Sequence, residues 1–417
     1  MLNRTEMKGK KILLSAYACS PFRGSEPGNG WSWATILAIK GFEVWCFTNV
    51  EDEKEIMEAS AKLNLPNLHF VFVKLNNGLD NFLLDTSSKK IYFHYLLWHK
   101  KAATVAKKLH AKIQFDIGHH VTFGSLQQGT FLWKLKGLKI IFGPVGGGQE
   151  ALPIFKEYFG KAWRTEQIRS AISWWSIKRS LNFKNTILKS DFVLVTNDDT
   201  SKMAKTVKNH QPEKIIFIND TAVPKVMELH EPIVRVPDKK LKLLWVGRML
   251  PRKGLNLVLE SLSKVPEWVD YSLTVVGGGE QFHLIDGWIE KYGVDKSKVN
   301  ILGQIPFFEV IEYYKKSDVF IFCSLRDSFG AQLTEAMAFG LPVIVLNIHG
   351  AALGVPDNCG IKVTPVTKEG TVKDIAAAVT RMYEDQNFRK DCSENSFMHS
   401  SNNTWENRVQ EVIEKFY

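Results

Sequence analysis

Short apolar runs recur along this chain, each followed by a longer amphipathic stretch, and that alternation is the pattern of strands and helices in turn. It predicts α/β architecture with parallel sheets, because parallel strands need a crossover and the crossover is usually a helix. In the first half the expected strands are 11–17, 43–48, 68–73, 113–119, 139–142 and 192–196. Their runs are apolar throughout instead of alternating, as strands covered on both faces are. A second series starts at 241–246 and continues at 271–276, 299–302, 319–323 and 342–345. Between the series lies 227–240, charged and carrying Pro232 and Pro237, which reads as a linker. With 417 residues the chain is also too long for one ordinary core. The expectation is therefore two doubly wound, Rossmann-like domains. We place them at 1–232 and 233–395, with 396–417 as a C-terminal helix packing back toward the first; Trp405, Val409, Val412 and Phe416 have helical spacing.

Doubly wound domains bind ligands outside the carboxyl ends of their strands. Two such edges facing a central cleft suit a reaction between two substrates, so the loops at strand ends are where chemistry is expected. The first strand runs into Ser20-Pro-Phe-Arg-Gly-Ser-Glu-Pro-Gly-Asn-Gly30, where Gly24, Gly28 and Gly30 allow backbone approach and a helix start offers amides to an anion. The spacing is not GxGxxG, so the dinucleotide fingerprint is missing. His119 and His120 stand at the end of the fourth expected strand, and since neighbours on a strand point opposite ways, one of them is expected to reach a ligand. Phe142-Gly-Pro-Val-Gly-Gly-Gly-Gln-Glu150 holds three consecutive glycines, Gly146, Gly147 and Gly148, and a second triplet spans Gly277 to Gly279. Ordering three glycines is costly, and close approach of backbone to a ligand is a reason to keep them.

In the second half Gly247-Arg248 and, shortly after, Arg252-Lys253-Gly254 leave a strand. Arginine forks onto phosphate and lysine adds a point charge, so a diphosphate could be offset here by side chains. No DxD pair suited to metal is found (Asp198-Asp199 is adjacent, not spaced), and no metal site is expected. The segment Ser324-Leu-Arg-Asp-Ser-Phe-Gly-Ala-Gln-Leu-Thr-Glu335 then passes from strand end to helix, with open amides at Ser328, Phe329, Gly330 and Ala331. Asp327 and Glu335, eight apart, are expected to face one pocket and to accept hydroxyl hydrogen bonds from a ligand rich in them.

Charge narrows the partner. There are 54 basic and 44 acidic residues, and the excess concentrates in 89–112, with seven lysines and no acid, and in 156–190, with eight basic residues against Glu157 and Glu166. Both segments interleave aromatics: Tyr92, Phe93, Tyr95 and Trp98 in one, Phe159, Trp163, Trp174, Trp175 and Phe183 in the other. Basic and aromatic together make a surface suited to anionic lipid. No run is apolar and long enough to span a bilayer. The apolar run beginning at Ile12 reads as a first strand and not as a signal peptide. Five cysteines, odd in number, far apart and without CxxC spacing, fit a reducing cytoplasm.

At these residues the sequence resembles the retaining glycosyltransferases of family four, which have the GT-B fold. Gly247-Arg248 and Lys253-Gly254 match that family's phosphate clamp. Asp327 to Glu335, followed by Gly340-Leu-Pro-Val-Ile344, matches its Glu-x7-Glu signature, with aspartate in place of the first glutamate. The Ser-Glu-Pro-Gly-x-Gly-Trp loop that contains Glu26, and Gly-Pro-Val-Gly-Gly-Gly, are similar to a bacterial subgroup acting in surface polysaccharide assembly. The resemblance implies a nucleotide-diphosphate sugar as donor, no cofactor, and a glycan or lipid-linked acceptor. It implies donor contacts from Gly247, Arg248, Lys253, Gly303, Ile305, Asp327, Ser328, Phe329, Gly330, Ala331 and Glu335. His119, His120, Arg248, Lys253 and Asp327 would act in catalysis. Gly24, Glu26, Gly28, Gly30 and Gly146 to Gly148 would line the acceptor side. The implied place of work is the cytoplasm, peripheral on the inner face of the plasma membrane. Competing classes are a GT-B epimerase, an inactive scaffold, and a nucleic-acid-binding protein using the basic surface, for which no recognised motif is found and which is not expected.

Overall fold

The computed structural model describes residues 9–84, 90–235 and 238–417. Lys89 of the first basic segment and Pro237 of the expected linker lie outside the described residues. The chain divides into two units, Met1–Gly148 with Ile172–Asp220 and Trp405–Tyr417, and Gln149–Ala171 with Thr221–Thr404.

The first unit holds seven parallel strands: β1 (Lys11–Ala16), β2 (Glu43–Thr48), β3 (Leu68–Phe72), β4 (Ile117–Thr122), β5 (Lys139–Val145), β6 (Phe192–Val195) and β7 (Ile215–Phe217). Their order is β3-β2-β1-β4-β5-β6-β7. The order in which strands are added therefore reverses at β1, with β2 on one side and β4 on the other. Apolar β1 is fully covered from Ile12 to Ala16, as a central strand must be. The second unit has six parallel strands, β8 (Leu241–Val246), β9 (Tyr271–Val276), β10 (Val299–Gly303), β11 (Val319–Phe322), β12 (Val343–Leu346) and β13 (Gly360–Val363). The order β10-β9-β8-β11-β12-β13 puts its reversal at β8. By the strand-end rule, the loops after β1 and β4 in one unit and after β8 and β11 in the other are the places for ligands.

The sequence reading and the structure differ at particular points. The fourth strand was expected at 113–119; the helix Lys90–Ile113 occupies its start, Gln114 turns the chain at φ 55°, and β4 begins at Ile117. Strands β7 and β13 were not foreseen: three and four residues at a sheet edge are too short to show a period. The expected boundaries 1–232, 233–395 and 396–417 also differ from the contacts. Residues 149–171 group with the second unit, which resumes at Thr221, and the expected last helix is two helices, Gln386–Ser401 in the second unit and Trp405–Phe416 in the first. Trp405, Val409, Val412 and Phe416 are all buried, and Trp405 meets Trp33 edge-on.

Candidate functional site

The loops after β8 and β11 are joined through one carbonyl. The Arg252 oxygen accepts the Leu325 amide at 2.8 Å and the Ser324 hydroxyl at 3.0 Å. Just beyond, Gly254 takes φ 69°, and a Cβ there would collide with the Cys323 carbonyl, so only glycine lets the loops approach. This junction brings Lys253 onto Asp327. The ammonium pairs with Asp327 Oδ2, and Arg252 Nη1 stands 3.4 Å from Oδ1. Burial alone would raise the Asp327 pKa, but the charges of Lys253 and Arg252 and two hydrogen bonds overcome it and hold the carboxyl down at about 2. It is ionised at neutral pH and can only accept hydrogen bonds. Burial pulls the Lys253 pKa down, Asp327 opposes that, and the charges of Arg252 and exposed Arg248 add to it. Lys253 Nζ also lies 4.9 Å over the Phe322 ring.

A second charge cluster adjoins the first. Arg326 Nε is 2.6 Å from Glu166 Oε1, and Arg169 grips the same oxygen at 2.7 Å. Arg169, Arg252, Lys253 and Arg326 pair with Glu166 and Asp327, Arg248 adds its charge beside Lys253, and Glu335 feels Lys253 from farther off. The excess is positive, at the carboxyl ends of parallel strands, where an anion is favoured. Arg169, Arg326 and Glu166 were not singled out in the sequence. Glu166 appears there only as an isolated acid within a basic segment, and no spacing signal links it to Arg326.

The expected site residues fall out as follows. Gly247 donates to the Val276 carbonyl at 3.0 Å, and Gly277 and Gly279 exist for this contact: a Cβ at Gly277 would overlap the Gly247 carbonyl, and one at Gly279 would come 2.7 Å from the Met249 oxygen. The second glycine triplet thus serves loop-to-loop packing, a correction to the reading of substrate approach. Gly303 passes its carbonyl to the Gly277 amide at 2.8 Å, and Ile305 is half-buried beside the second unit's core. The Ser328 amide is turned to Asp327 Oδ1 at 3.1 Å, so it is not an open anion donor as expected. Phe329 is buried, and Gly330, at φ 110°, precedes the helix Ala331–Ala338, whose first turn has no side-chain cap. Asp327 lines a small cleft with Phe322, Ser324, Phe329, Ile348 and His349. Glu335 does not line it; its Oε2 accepts the hydroxyl of buried Tyr314 at 2.8 Å, and burial raises its pKa. The two carboxylates therefore do not share this cleft, contrary to expectation.

In the first unit the correction is larger. β4 runs to Thr122, so His119 and His120 sit inside the strand and not past its end, and both rings are fully buried. His119 Nε2–H donates to the Gly143 carbonyl at 2.7 Å and Nδ1 accepts from the Tyr417 hydroxyl at 2.7 Å. His120 donates to the Phe123 carbonyl at 3.1 Å and accepts from Ser15 at 3.2 Å. Both are satisfied core histidines. Burial depresses the pKa to about 3 for His119 and to about 4 for His120. Buried His99 is pushed down to about 3 in the same way. Each takes up protons in the unfolded chain near pH 6.5 but not in the fold, so each removes about 1.4 kcal/mol of stability per pH unit below that value. Denaturant melts of the protein are expected to lose several kcal/mol between pH 6.5 and pH 5. A flat profile there would contradict buried, neutral rings.

The N-terminal glycines mostly answer to packing too. A Cβ on Gly30 would strike the Ala18 carbonyl, and one on Gly28 would lie 2.6 Å from the Arg23 carbonyl, while Gly24 has open space. Gly146 donates to Gly124 at 3.0 Å, the Gly147 carbonyl accepts from Thr200, and Gly148 faces the Asp199 carbonyl. Glu26, in the first turn of the helix Ser25–Ile39, accepts the Gly124 amide, and burial raises its pKa. A buried network was not foreseen at all. Tyr17 donates to His94 at 2.8 Å, and His94 donates to Asp80 at 2.8 Å. Of the aromatics assigned to a lipid-facing surface, Tyr95, Trp98, Phe159, Trp163 and Phe183 are core, whereas Tyr92, Phe93 and Trp175 are exposed. Among the described residues no helix is long and apolar enough to cross a membrane, and no cluster of potential metal ligands occurs.

Residues 226–398 match the family described as Glycosyl transferases group 1. The uncharacterized glycosyltransferase MJ1607 of Methanocaldococcus jannaschii is 29% identical over 158 residues, covering 38% of this chain and 39% of that protein. The capsular polysaccharide biosynthesis glycosyltransferase CapM of Staphylococcus aureus is 25% identical, covering 42% of this chain and 44% of that one. The matched stretch thus spans less than half the length of these curated relatives. Among solved structures, sucrose-phosphate synthase from Thermosynechococcus elongatus superposes with a TM-score of 0.69 at 18% identity, covering 97% of this chain and 98% of that one. At that identity the likeness speaks for the fold, which is GT-B.

Proposed function

We propose that the chain, whose residues 226–398 match the group 1 glycosyl transferases, is a retaining glycosyltransferase that moves a sugar from a nucleotide-diphosphate donor to a glycan or lipid-linked acceptor in surface polysaccharide assembly. The observation that carries this reading is the cationic cluster around Asp327. When the glycosidic bond to the donor breaks, negative charge grows on the leaving diphosphate. Arg248, two residues past the strand, is exposed and close enough to act on the charge of Lys253, and Lys253 has two further N–H donors beyond the one given to Asp327. Fixed cations aimed at developing charge are electrostatic catalysis and need no bound metal to supply it. Ionised Asp327 accepts hydrogen bonds from sugar hydroxyls. The capsular relative supports the acceptor class. The exposed Phe82, Tyr92, Phe93 and Leu96, near Lys90 and Lys100, support work at an anionic membrane face, on its cytoplasmic side.

Calorimetric titration with UDP, GDP and ADP tests the donor site. One of the three is expected to bind at micromolar concentration, more weakly as salt rises. A folded protein that binds none of them would end the reading. Flotation with vesicles containing anionic lipid tests the membrane arm separately, and no flotation at low salt would remove it.

A further inference from the structure

Two neighbouring residues of the donor loop carry opposite charge and are held by opposite partners. Asp327 turns to Lys253 and Arg252, and Arg326 turns to Glu166. Glu166 lies on the helix Ala162–Arg179, far from the loop in sequence but in the same unit. Its Oε1 is shared: Arg169 donates to it through Nη2 at 2.7 Å and through Nε at 3.1 Å, while Arg326 Nε approaches to 2.6 Å. Arg169 is itself fixed by the Gln149 carbonyl at 3.2 Å. The carboxylate is nearly closed to solvent, with 9% of its side chain exposed, and Arg326 has 17%. Burial and the charges of Arg169 and Arg252 press on the Arg326 guanidinium, and only Glu166 and Asp327 relieve it. Removing the carboxylate of a buried ion pair leaves the guanidinium uncompensated, at a cost that a second carboxylate nearby would relieve. If Glu166 were neutral, Arg326 would turn to the other acid, Asp327, and compete there with Lys253 and Arg252.

We propose that Glu166 is a positioning residue of the donor site: it sequesters Arg326, so that Asp327 remains with Lys253 and Arg252 and keeps its remaining lone pairs for the donor sugar. The inference rests on the donor-site reading above. It separates two parts of the donor. The diphosphate meets Arg248 and Lys253, which Glu166 does not touch. The sugar meets Asp327, whose partners Glu166 decides. Glu166→Gln therefore acts on sugar recognition more than on phosphate recognition.

The test compares UDP, GDP and ADP with UDP-glucose, GDP-mannose and ADP-glucose by calorimetry, using the full chain. For the nucleotide that the natural protein binds, Glu166→Gln is expected to weaken the nucleotide sugar at least tenfold and the bare diphosphate less than threefold. The double variant Glu166→Gln/Arg326→Met has no guanidinium left to release, and it is expected to bind the nucleotide sugar at least fivefold more tightly than Glu166→Gln alone. A merely structural ion pair gives the reverse order, because the double variant then loses more packing than the single. A double variant as weak as the single overturns the inference, and so does a Glu166→Gln protein that binds nucleotide sugar like the natural one. Glu166→Asp, which keeps the charge but withdraws it by one methylene, gives the same loss in milder form and serves if the glutamine variant does not fold. A natural protein that binds no nucleotide overturns the donor reading and this inference together, whereas normal wild-type binding with indifferent variants overturns this inference alone.

Discussion

Lys253→Ala is expected to weaken nucleotide-diphosphate binding at least tenfold and to destabilise the second unit at once. A charged hydrogen bond to phosphate is worth about 1.5–3 kcal/mol, which is roughly tenfold to a hundredfold in affinity. The variant also leaves Asp327 with less compensation, so the carboxylate repels the phosphate that Lys253 had attracted. Breaking a buried ion pair from one side costs about 3–5 kcal/mol, and the lower end applies here because Arg252 remains 3.4 Å from Asp327. The effect has a pH signature. In the natural protein the Asp327 pKa is about 2, below the ordinary carboxylate value, so its pairing contributes stability above pH 4 that is lost as pH falls toward 2. Without Lys253 the burial contribution dominates, the pKa rises, and that contribution shrinks or changes sign. Adding Asp327→Ala to Lys253→Ala should restore much of the stability and none of the binding. Thermal melts and calorimetry on the two variants separate the effects. Undiminished nucleotide binding by Lys253→Ala would remove Lys253 from the donor site.

Gly350→Ala is expected to cost about 3 kcal/mol or more and to disturb the same site from behind. A Cβ on Gly350 would overlap the carbonyl oxygen of Ser328, and four residues on, one on Gly354 would come 2.3 Å from the edge of the Phe329 ring. The helix His349–Gly354 thus presses a side-chain-free face onto the segment that follows Asp327. Because the obstacle at Gly350 is backbone, the added methyl cannot be met by a rotamer change, and either the helix or the donor loop must move. Gly24→Ala is the control: its Cβ meets nothing within 4 Å, and only the loss of a glycine N-cap, about 1 kcal/mol, is expected there. Denaturant melts on both report the difference. A Gly350→Ala protein as stable as the control would mean that the two segments are not in contact in solution.

The parallel α/β architecture could be read from the chain because buried strands are apolar runs, and every strand of four or more residues but one, β13, lies close to such a run. Lys253 and Asp327 could be read because a strand end followed by basic residues, or by a loop and helix, is a local pattern. What joins them could not. Their contact depends on the Arg252 carbonyl and on Gly254, which matter only once the loops after β8 and β11 are neighbours. Glu166 and Arg326 are 160 positions apart and belong to no motif. The histidine pair misled for a related reason. Whether His119 stands at the end of a strand or within it turns on three residues of β4, and boundaries are the least certain part of a pattern reading. The glycine triplets misled because close approach of another loop and close approach of a ligand demand the same residue.

The helix Trp405–Phe416 has a consequence for how the molecule is made. It belongs to the core of the first unit, where Tyr417 closes over His119 and Phe42 and Phe416 packs on Phe192. Yet the ribosome reaches it only after the whole of Thr221–Thr404. At about 5–20 residues per second, the first unit emerges roughly ten to forty seconds before its last layer exists. Over that interval the strands and helices of the second unit emerge in turn and are free to fold, while the first keeps an apolar trough open around Trp33. The order of synthesis and the order of completion are therefore opposite, and the unit translated first is the one finished last.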